Sequence, residues 1–183
     1  MNLKYFIIKI YIIKYENFKI FTKKIKGIKL VLTDVDGVLT DGGMYYTKNG
    51  DNMKKFFVRD GMGVTLLRKN NIPTIIVTKE KNVIIKKWAT AMKIEKLFQG
   101  IIEKENILKT VCDDFKVSSK EVSYIGDDIN DLGLLNKVGF SVCPKDSALI
   151  VQNNCDYICE NEGGRGAFRE LADIILSQKI NIK

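Results

Sequence analysis

Residues 28–40 read Ile-Lys-Leu-Val-Leu-Thr-Asp-Val-Asp-Gly-Val-Leu-Thr, an apolar, β-branched run that ends in two aspartates one residue apart and a glycine. A run without polar alternation is typical of a central strand of a parallel sheet, buried on both faces. Open α/β sheets bind their ligands at the carboxyl ends of such strands. The stretch therefore predicts a strand that delivers Asp34 and Asp36 to a ligand site, although a plain surface turn produces the same short motif.

Strands and helices alternate along the rest of the chain, which predicts a doubly wound parallel sheet in one α/β domain over residues 28–177. Residues 1–27 form a basic extension and residues 178–183 a short tail. An Asn-Gly turn between two aromatic or apolar runs predicts a β-hairpin over residues 43–57. The other predicted strands span 73–77, 96–98, 122–125, 138–142 and 156–159. The predicted helices span 61–69, 80–92, 103–115, 132–135 and 167–177.

For two of these helices the sequence also predicts the N-terminal cap or the buried face. Asp60 is expected to cap the helix that begins at Gly61. The apolar positions Val83, Ile84, Trp88 and Ala91 are expected to form the buried face of the helix over 80–92.

The net charge of +8 is concentrated in the extension. Residues 1–29 hold eight lysines against one acid, Glu16, and so account for seven of the eight net charges. A near-neutral body argues against a nucleic-acid partner. Lysines interrupt the apolar runs of the extension, so no membrane span is expected. The extension has two interpretations: it forms a short helix over residues 17–26, or it is a basic segment that binds weakly to membranes.

Cysteine and histidine usage limits the possible chemistry. The four cysteines form no C-x-x-C pair and the chain has no histidine, which argues against a zinc site. Reduced cysteines favour a cytoplasmic protein. Without histidine, Ser-His and Cys-His nucleophiles are excluded, and any hydrolysis must depend on carboxylates and a metal ion.

Polar groups follow four predicted strands in a fixed order: Asp34-x-Asp36, Thr78, Lys104, and the acidic cluster Gly126-Asp127-Asp128-x-x-Asp131. Each has an ordinary structural explanation when taken alone. Thr78 could cap a helix, Lys104 could be a solvated surface charge, and the acidic cluster could be a turn with helix-start acids. At consecutive carboxyl ends of one parallel sheet, however, they would meet in a single site.

In this order and spacing the four groups resemble the four motifs of the haloacid dehalogenase superfamily of phosphatases, over about residues 28–177. The chain is most similar to the small phosphatases of 2-keto-3-deoxy sugar acids, which act on 3-deoxy-manno-octulosonate 8-phosphate or acylneuraminate 9-phosphates. The segments that carry this likeness are residues 33–42, 58–63, 98–100, 124–131 and 163–170.

The resemblance implies roles for the motif residues. Asp34 would be the nucleophile that forms an aspartyl-phosphate, and Asp36 the general acid and base. Thr78 and Lys104 would bind the phosphoryl oxygens. Mg²⁺ would be bound by Asp34, the backbone carbonyl of Asp36, and Asp127. The remaining assignments are supporting roles for Asp128 and Asp131, and substrate contacts for Arg59, Glu80 and Arg165.

The resemblance also implies a site without a cap domain, covered by the hairpin and a neighbouring subunit in a homotetramer. The glycine-rich segment 163–166, with Arg165, would be a lid, although it could equally be an ordinary loop at a helix start. Arg59 could bind a substrate carboxylate, or could pair with Asp60 or face water.

The substrate stays open between two sugar acids. Lys79 stands where the group usually has a small residue. Glu80 is typical of the acylneuraminate type, whereas the segment 57–61 fits the octulosonate type well. Trp88 and Ala91 stand where some sialate-type relatives have basic residues.

The alternatives of other classes are a non-catalytic oligomerisation module of the same fold, linked to sugar-acid activation, and a nucleic-acid-binding protein. A phosphomutase or a dehalogenase on the same fold is a further alternative. Asp36 favours phosphoryl transfer over dehalogenation, and the lack of a cap disfavours a mutase.

Overall fold

The computed structural model describes residues 22–178. Eight strands are present in this part of the chain: β1 (Leu30–Thr33), β2 (Tyr45–Thr47), β3 (Gly50–Met53), β4 (Thr74–Thr78), β5 (Lys96–Gln99), β6 (Val122–Ile125), β7 (Phe140–Cys143) and β8 (Tyr157–Ile158). The helices are α1 (residues 22–26), α2 (Val58–Lys69), α3 (Val83–Met92), α4 (Ile107–Phe115), α5 (Leu132–Leu135), α6 (Leu149–Gln152) and α7 (Ala167–Ser177).

Six of the strands form one sheet in the order β5-β4-β1-β6-β7-β8, and every neighbouring pair is parallel. All four residues of β1 are buried at the centre of the sheet, as its uninterrupted apolar run predicts. Val31 packs into the core on one face of the sheet, and Leu30 and Leu32 pack into the core on the other. The predicted doubly wound α/β fold is therefore confirmed.

Helices cover both faces of the sheet. Buried residues of α2, α3 and α7 form the first core, and Ile25 of α1 joins it. Buried residues of α4, α5 and α6 form the second core. No helix within residues 22–178 is long and apolar enough to cross a bilayer.

The predicted hairpin is present as an antiparallel pair, β2 and β3, separate from the main sheet. In the sequence the hairpin comes shortly after the Asp34–Asp36 segment and is followed by α2. Its apolar side chains Met44, Tyr46 and Met53 are all exposed in the single chain. The exposed hairpin lies between β1 and α2 and is the segment that the resemblance expects to cover the site.

Several boundaries agree with the sequence, and two expectations were wrong. The segments 122–125, 132–135 and 167–177 have the predicted bounds. However, α2 begins at Val58, so Asp60 lies inside it; its carboxylate accepts a hydrogen bond from the backbone N–H of Arg169, at 2.8 Å, in the first turn of α7. A buried carboxylate gains more by satisfying this distant amide than by capping its own helix.

The helix expected over 80–92 begins three residues later, because the Asn82 side chain caps it by accepting a hydrogen bond from the Ile84 amide at 2.8 Å. The expected buried face was also wrong: Ile85 and Ala89 are the residues of this helix that join the first core, whereas Val83 and Ala91 are exposed.

Smaller differences occur elsewhere. A 3₁₀ turn (Lys104–Asn106) precedes α4, and α6 was not expected. Residues 22–26 of the helix predicted over 17–26 are helical, and the rest of that prediction lies outside the described residues.

Candidate active site

The functional groups meet at the carboxyl edge of the sheet, at the point where the strand order reverses. Asp34 follows β1 directly, Thr78 ends β4, and Asp127 follows β6 with Gly126 between them. Because β4 and β6 flank β1 on opposite sides, the three strand ends surround a single crevice. Lys104 reaches the same crevice from the 3₁₀ turn after β5.

Lys104 is fully buried between two aspartates. Its Nζ lies 2.8 Å from Asp34 Oδ2 and 2.6 Å from Asp131 Oδ1. Burial alone would lower the pKa of Lys104, but the two negative charges outweigh it and raise the pKa above its ordinary value. The ammonium is therefore charged at neutral pH and offers a fixed cation beside Asp34. The surface-charge interpretation of Lys104 was wrong.

Asp131 is a support for this cation. Besides Lys104, its carboxylate accepts hydrogen bonds from the Tyr124 hydroxyl at 2.5 Å and from the backbone amides of Asp127 at 2.9 Å and Asp128 at 3.2 Å. Four donors occupy most of the sites a carboxylate offers. Asp128 caps the 3₁₀ turn that contains Asp131 and is itself exposed, so the helix-start interpretation of the cluster describes Asp128 correctly.

Asp34 and Asp127 are held close together in a buried place. Burial raises the pKa of Asp34 to about 7, with Lys104 opposing the rise and Asp131 adding to it. Burial also raises the pKa of Asp127 to about 8, and the charges of Asp34 and Asp131 raise it further. Among the described residues no hydrogen-bond donor reaches the Asp127 carboxylate.

This donor set fits a hard divalent cation. Carboxylate oxygens of Asp34, Asp127 and Asp131 lie within 4.8 Å of one another. Asp131 is already engaged by Lys104, Tyr124 and two backbone amides, so Asp127 and the partly engaged Asp34 are the better placed ligands. Two buried carboxylates whose pKa values are both raised are the arrangement that a cation would relieve, because its charge favours their ionised forms.

Gly37 makes room for this arrangement. It adopts a φ of +79°, and a Cβ on it would lie 2.0 Å from Asp127 Oδ2. A side chain at this position would collide with the carboxylate and would strain the turn as well. The glycine of the Asp-x-Asp-Gly motif is therefore required by the approach of Asp127.

Asp36 faces a cavity of about 320 Å³ that the crevice opens into. Its Oδ1 accepts hydrogen bonds from Lys54 Nζ at 2.8 Å and from the Thr40 hydroxyl at 3.2 Å. Lys54 Nζ also lies 2.9 Å from Glu80 Oε2. The cavity is lined by Asp34, Asp36, Gly37, Gly42, Met44, Lys54, Thr78, Lys79, Glu80, Asp127, Asp128 and Asn130.

Thr78 is buried at the edge of this cavity, and its hydroxyl accepts a hydrogen bond from the Glu80 amide at 3.2 Å. The helix that follows is capped by Asn82, so the helix-cap interpretation of Thr78 was wrong. Its hydroxyl hydrogen meets no acceptor within residues 22–178 and can donate to an anion in the cavity.

The contacts of Lys54 and Tyr124 with the site carboxylates were not predicted from the sequence. Tyr124 had a usable signal, since a tyrosine in the middle of a buried strand needs a partner for its hydroxyl. Lys54 had none, because a lysine in a hairpin beside a second lysine is ordinarily solvated.

Arg59 and Arg165 do not line this cavity. Within one chain they line a separate, open cleft of about 710 Å³ together with Arg169. The Arg165 side chain is 64% exposed and lies 3.4 Å from Glu162. The glycines of its segment instead pack on the Asp-x-Asp-Gly loop: the Gly164 amide donates to the Val38 carbonyl at 2.9 Å. The segment therefore packs against the loop that carries Asp34 and Asp36.

Comparisons with known proteins identify the family of this chain. A sequence profile of the haloacid dehalogenase-like hydrolases matches residues 69–171. The chain belongs to this family. A 3-deoxy-D-manno-octulosonate 8-phosphate phosphatase of Haemophilus influenzae is 37% identical over 84% of this haloacid dehalogenase-like chain and 86% of its own length. The enzyme of the same name from Salmonella typhi is 35% identical over 84% and 81%.

Solved structures of the same kind resemble this family member closely. The cobalt-bound deoxy-D-mannose-octulosonate 8-phosphate phosphatase of H. influenzae has a TM-score of 0.83 at 36% identity, over 85% of this chain and 91% of that one. The Moraxella catarrhalis 3-deoxy-D-manno-octulosonate 8-phosphate phosphatase, in complex with magnesium, phosphate and KDO, has a TM-score of 0.83 at 32% identity, over 86% and 90%.

Proposed function

We propose that this chain is a Mg²⁺-dependent phosphatase that hydrolyses 3-deoxy-D-manno-octulosonate 8-phosphate through an aspartyl-phosphate on Asp34. The observation that carries the proposal is the buried Asp34–Lys104–Asp131 arrangement beside Asp127 at the sheet's switch point. The names of the curated relatives support the choice of ester and of sugar.

Asp34 is the proposed nucleophile. Its Oδ2 is held at 2.8 Å from Lys104 Nζ, and the residue is 6% exposed, so the carboxylate is fixed and largely dry. Attack on phosphorus would replace one difficult displacement with two easier ones. Lys104 and the Thr78 hydroxyl would bind the phosphoryl oxygens, whose charge must be stabilised in the transition state.

Asp36 is the proposed general acid and base. Its side chain is 32% exposed at the cavity, two residues after Asp34, so it can reach the oxygen that leaves phosphorus. It would protonate the sugar alkoxide and then accept the proton of the water that hydrolyses the intermediate.

Asp34, Asp127 and the backbone carbonyl of Asp36 are the proposed Mg²⁺ ligands. A bound Mg²⁺ would offset the negative charge of the nucleophile and the phosphate. Asp131 and Asp128 would keep Lys104 and the loop in place.

A second candidate substrate is an acylneuraminate or related nonulosonate 9-phosphate. Glu80 lines the cavity and is paired with Lys54. A glutamate at this position is typical of the acylneuraminate phosphatases and therefore favours the second substrate. Arg59 and Arg165 line a different cleft of this chain, so the substrate contacts proposed for them would be made to the cavity of a neighbouring subunit.

We also propose a homotetramer in which the exposed hairpin side chains Met44, Tyr46 and Met53 are covered and a neighbouring chain closes the open cavity. Residues 28–177 would be the catalytic domain, onto which Ile25 of α1 packs. The four free cysteines support a cytoplasmic location. Light scattering coupled to size exclusion tests the tetramer; a monomer at micromolar concentration would contradict it.

The test of the proposed function is phosphate release with Mg²⁺ from the octulosonate 8-phosphate, an acylneuraminate 9-phosphate and 4-nitrophenyl phosphate. Asp34→Asn should reduce the rate on each hydrolysed ester about 10³-fold or more. Asp114→Asn, the same change on an exposed residue of α4, is the matched control and should leave the rate unchanged. No release from any ester by folded protein would overturn the proposal and favour the non-catalytic module.

A further inference from the structure

Lys54 is a buried cation that the chemistry above does not use. It follows the last residue of β3 at the base of the hairpin, and its side chain is only 2% exposed. A buried ammonium is costly unless it is paired. Lys54 is paired on two sides, with Asp36 at 2.8 Å and with Glu80 at 2.9 Å. It thus connects three segments: the loop after β1, the hairpin and the loop after β4.

The contacts of Asp36 are strongly asymmetric. Lys54 Nζ and the Thr40 hydroxyl both donate to Oδ1. Oδ2 receives no hydrogen bond from any residue within the described range 22–178. A carboxylic acid gives its proton from one oxygen, and an oxygen whose lone pairs already accept hydrogen bonds from the protein is the less available of the two for the leaving group. Engagement of Oδ1 therefore leaves Oδ2 for the substrate.

We propose that Lys54 is a positioning residue that anchors Oδ1 of Asp36 and so directs Oδ2 to the departing oxygen of the substrate. This assignment rests on the proposed phosphatase activity. It predicts that Lys54 matters most for esters whose alcohol is a poor leaving group. A sugar alkoxide requires protonation as it leaves, whereas a 4-nitrophenolate is a stable anion and requires little.

The experiment compares kcat/KM for the sugar-acid phosphate and for 4-nitrophenyl phosphate. For each ester kcat/KM covers the steps up to departure of the alcohol, so later hydrolysis of the intermediate does not affect it. Lys54→Met should lower kcat/KM for the sugar ester about 100-fold, because misplacing a reacting group by about 1 Å costs about 100-fold in rate. For the aryl ester kcat/KM should fall by less than about threefold, because its leaving group needs little protonation. Lys54→Arg, which keeps a cation, should restore most of the difference.

Lys55→Met is the matched control. Lys55 is the next residue and also pairs with a carboxylate, Asp41 at 3.2 Å, but its side chain is 54% exposed. An exposed pair of this kind contributes little, so both kcat/KM values should stay within about twofold of the unmodified chain.

A double-mutant cycle with Asp36→Ala separates positioning from other roles. If Lys54 acts through Asp36, adding Lys54→Met to Asp36→Ala should cause no further loss on the sugar ester. Equal losses on both esters, an additive double mutant, or an effect confined to KM of the sugar would each overturn the assignment. If Lys54→Met fails to fold, Lys54→Gln is scored by the same ratio, and Lys54→Arg remains the variant that should keep most of the activity on the sugar ester.

The two proposals fail in different ways. If the unmodified chain hydrolyses neither ester, the phosphatase proposal fails and the Lys54 assignment fails with it. If the unmodified chain hydrolyses both esters and Asp34→Asn abolishes both activities, equal losses in Lys54→Met refute the Lys54 assignment alone.

Discussion

Replacing Asp127 with asparagine should stabilise the metal-free protein at alkaline pH. Burial and the charges of Asp34 and Asp131 raise the pKa of Asp127 from 3.8 to about 8, so the folded chain favours the protonated form. As the pH rises above about 4, the unfolded chain loses this proton while the folded chain keeps it. The stability that protonation confers is therefore lost progressively up to about pH 8 and then stays constant. Asparagine has the shape of the protonated side chain and avoids the loss.

The size of the effect follows from the pKa. A rise from 3.8 to about 8 corresponds to roughly 6 kcal/mol at about 1.4 kcal/mol for each pH unit, which is a ceiling. Because water entry and relaxation reduce the cost of a buried charge, we expect at least about 2 kcal/mol, or about 4–8 °C in melting temperature, above pH 8.

The assay is thermal unfolding in EDTA at intervals from pH 5 to pH 9, with Asp128→Asn as the control on the adjacent exposed carboxylate. The advantage of Asp127→Asn should grow with pH and level off above pH 8, and the control should show no such trend. Added Mg²⁺ should raise the melting temperature of the unmodified chain and not that of Asp127→Asn. An Asp127→Asn advantage that is absent, or independent of pH, would refute the reasoning.

Two further predictions concern the surroundings of the two carboxylates. Tyr124→Phe removes a buried hydroxyl that donates to Asp131 at 2.5 Å, and should lower the free energy of unfolding by about 1–2 kcal/mol in urea titrations; an unchanged midpoint would contradict the role given to Tyr124. Gly37→Ala places a Cβ where Asp127 Oδ2 lies, at a φ of +79°, and should abolish the Mg²⁺-dependent rise in melting temperature; an alanine variant with a normal rise would show that this approach is not needed.

The sheet and the order of the site motifs could be predicted from the sequence, because both depend on patterns of neighbouring residues. The buried run of β1, the bounds of β6 and the start of α7 follow from apolar runs and glycine positions. Strand ends in a parallel sheet lie at one edge, so Asp34, Thr78 and Asp127 could be expected to meet.

What the sequence could not predict depends on contacts between distant segments. Asp60 satisfies an amide of Arg169, 109 residues away, instead of its own helix. Lys54 is buried where Asp36 and Glu80 approach it from two loops. Neither partner is visible in the local pattern around the residue, which in both cases resembles an ordinary surface position.

The most direct test of the central claim is to trap the phosphoryl group on the enzyme. The Mg²⁺-loaded chain is mixed with substrate, quenched in acid within its first turnover, digested and examined by mass spectrometry. The account predicts a phosphorylated peptide with the modification on Asp34, which is absent in Asp34→Asn. Full turnover with no phosphorylated peptide, or with the phosphoryl group on another residue, would contradict it.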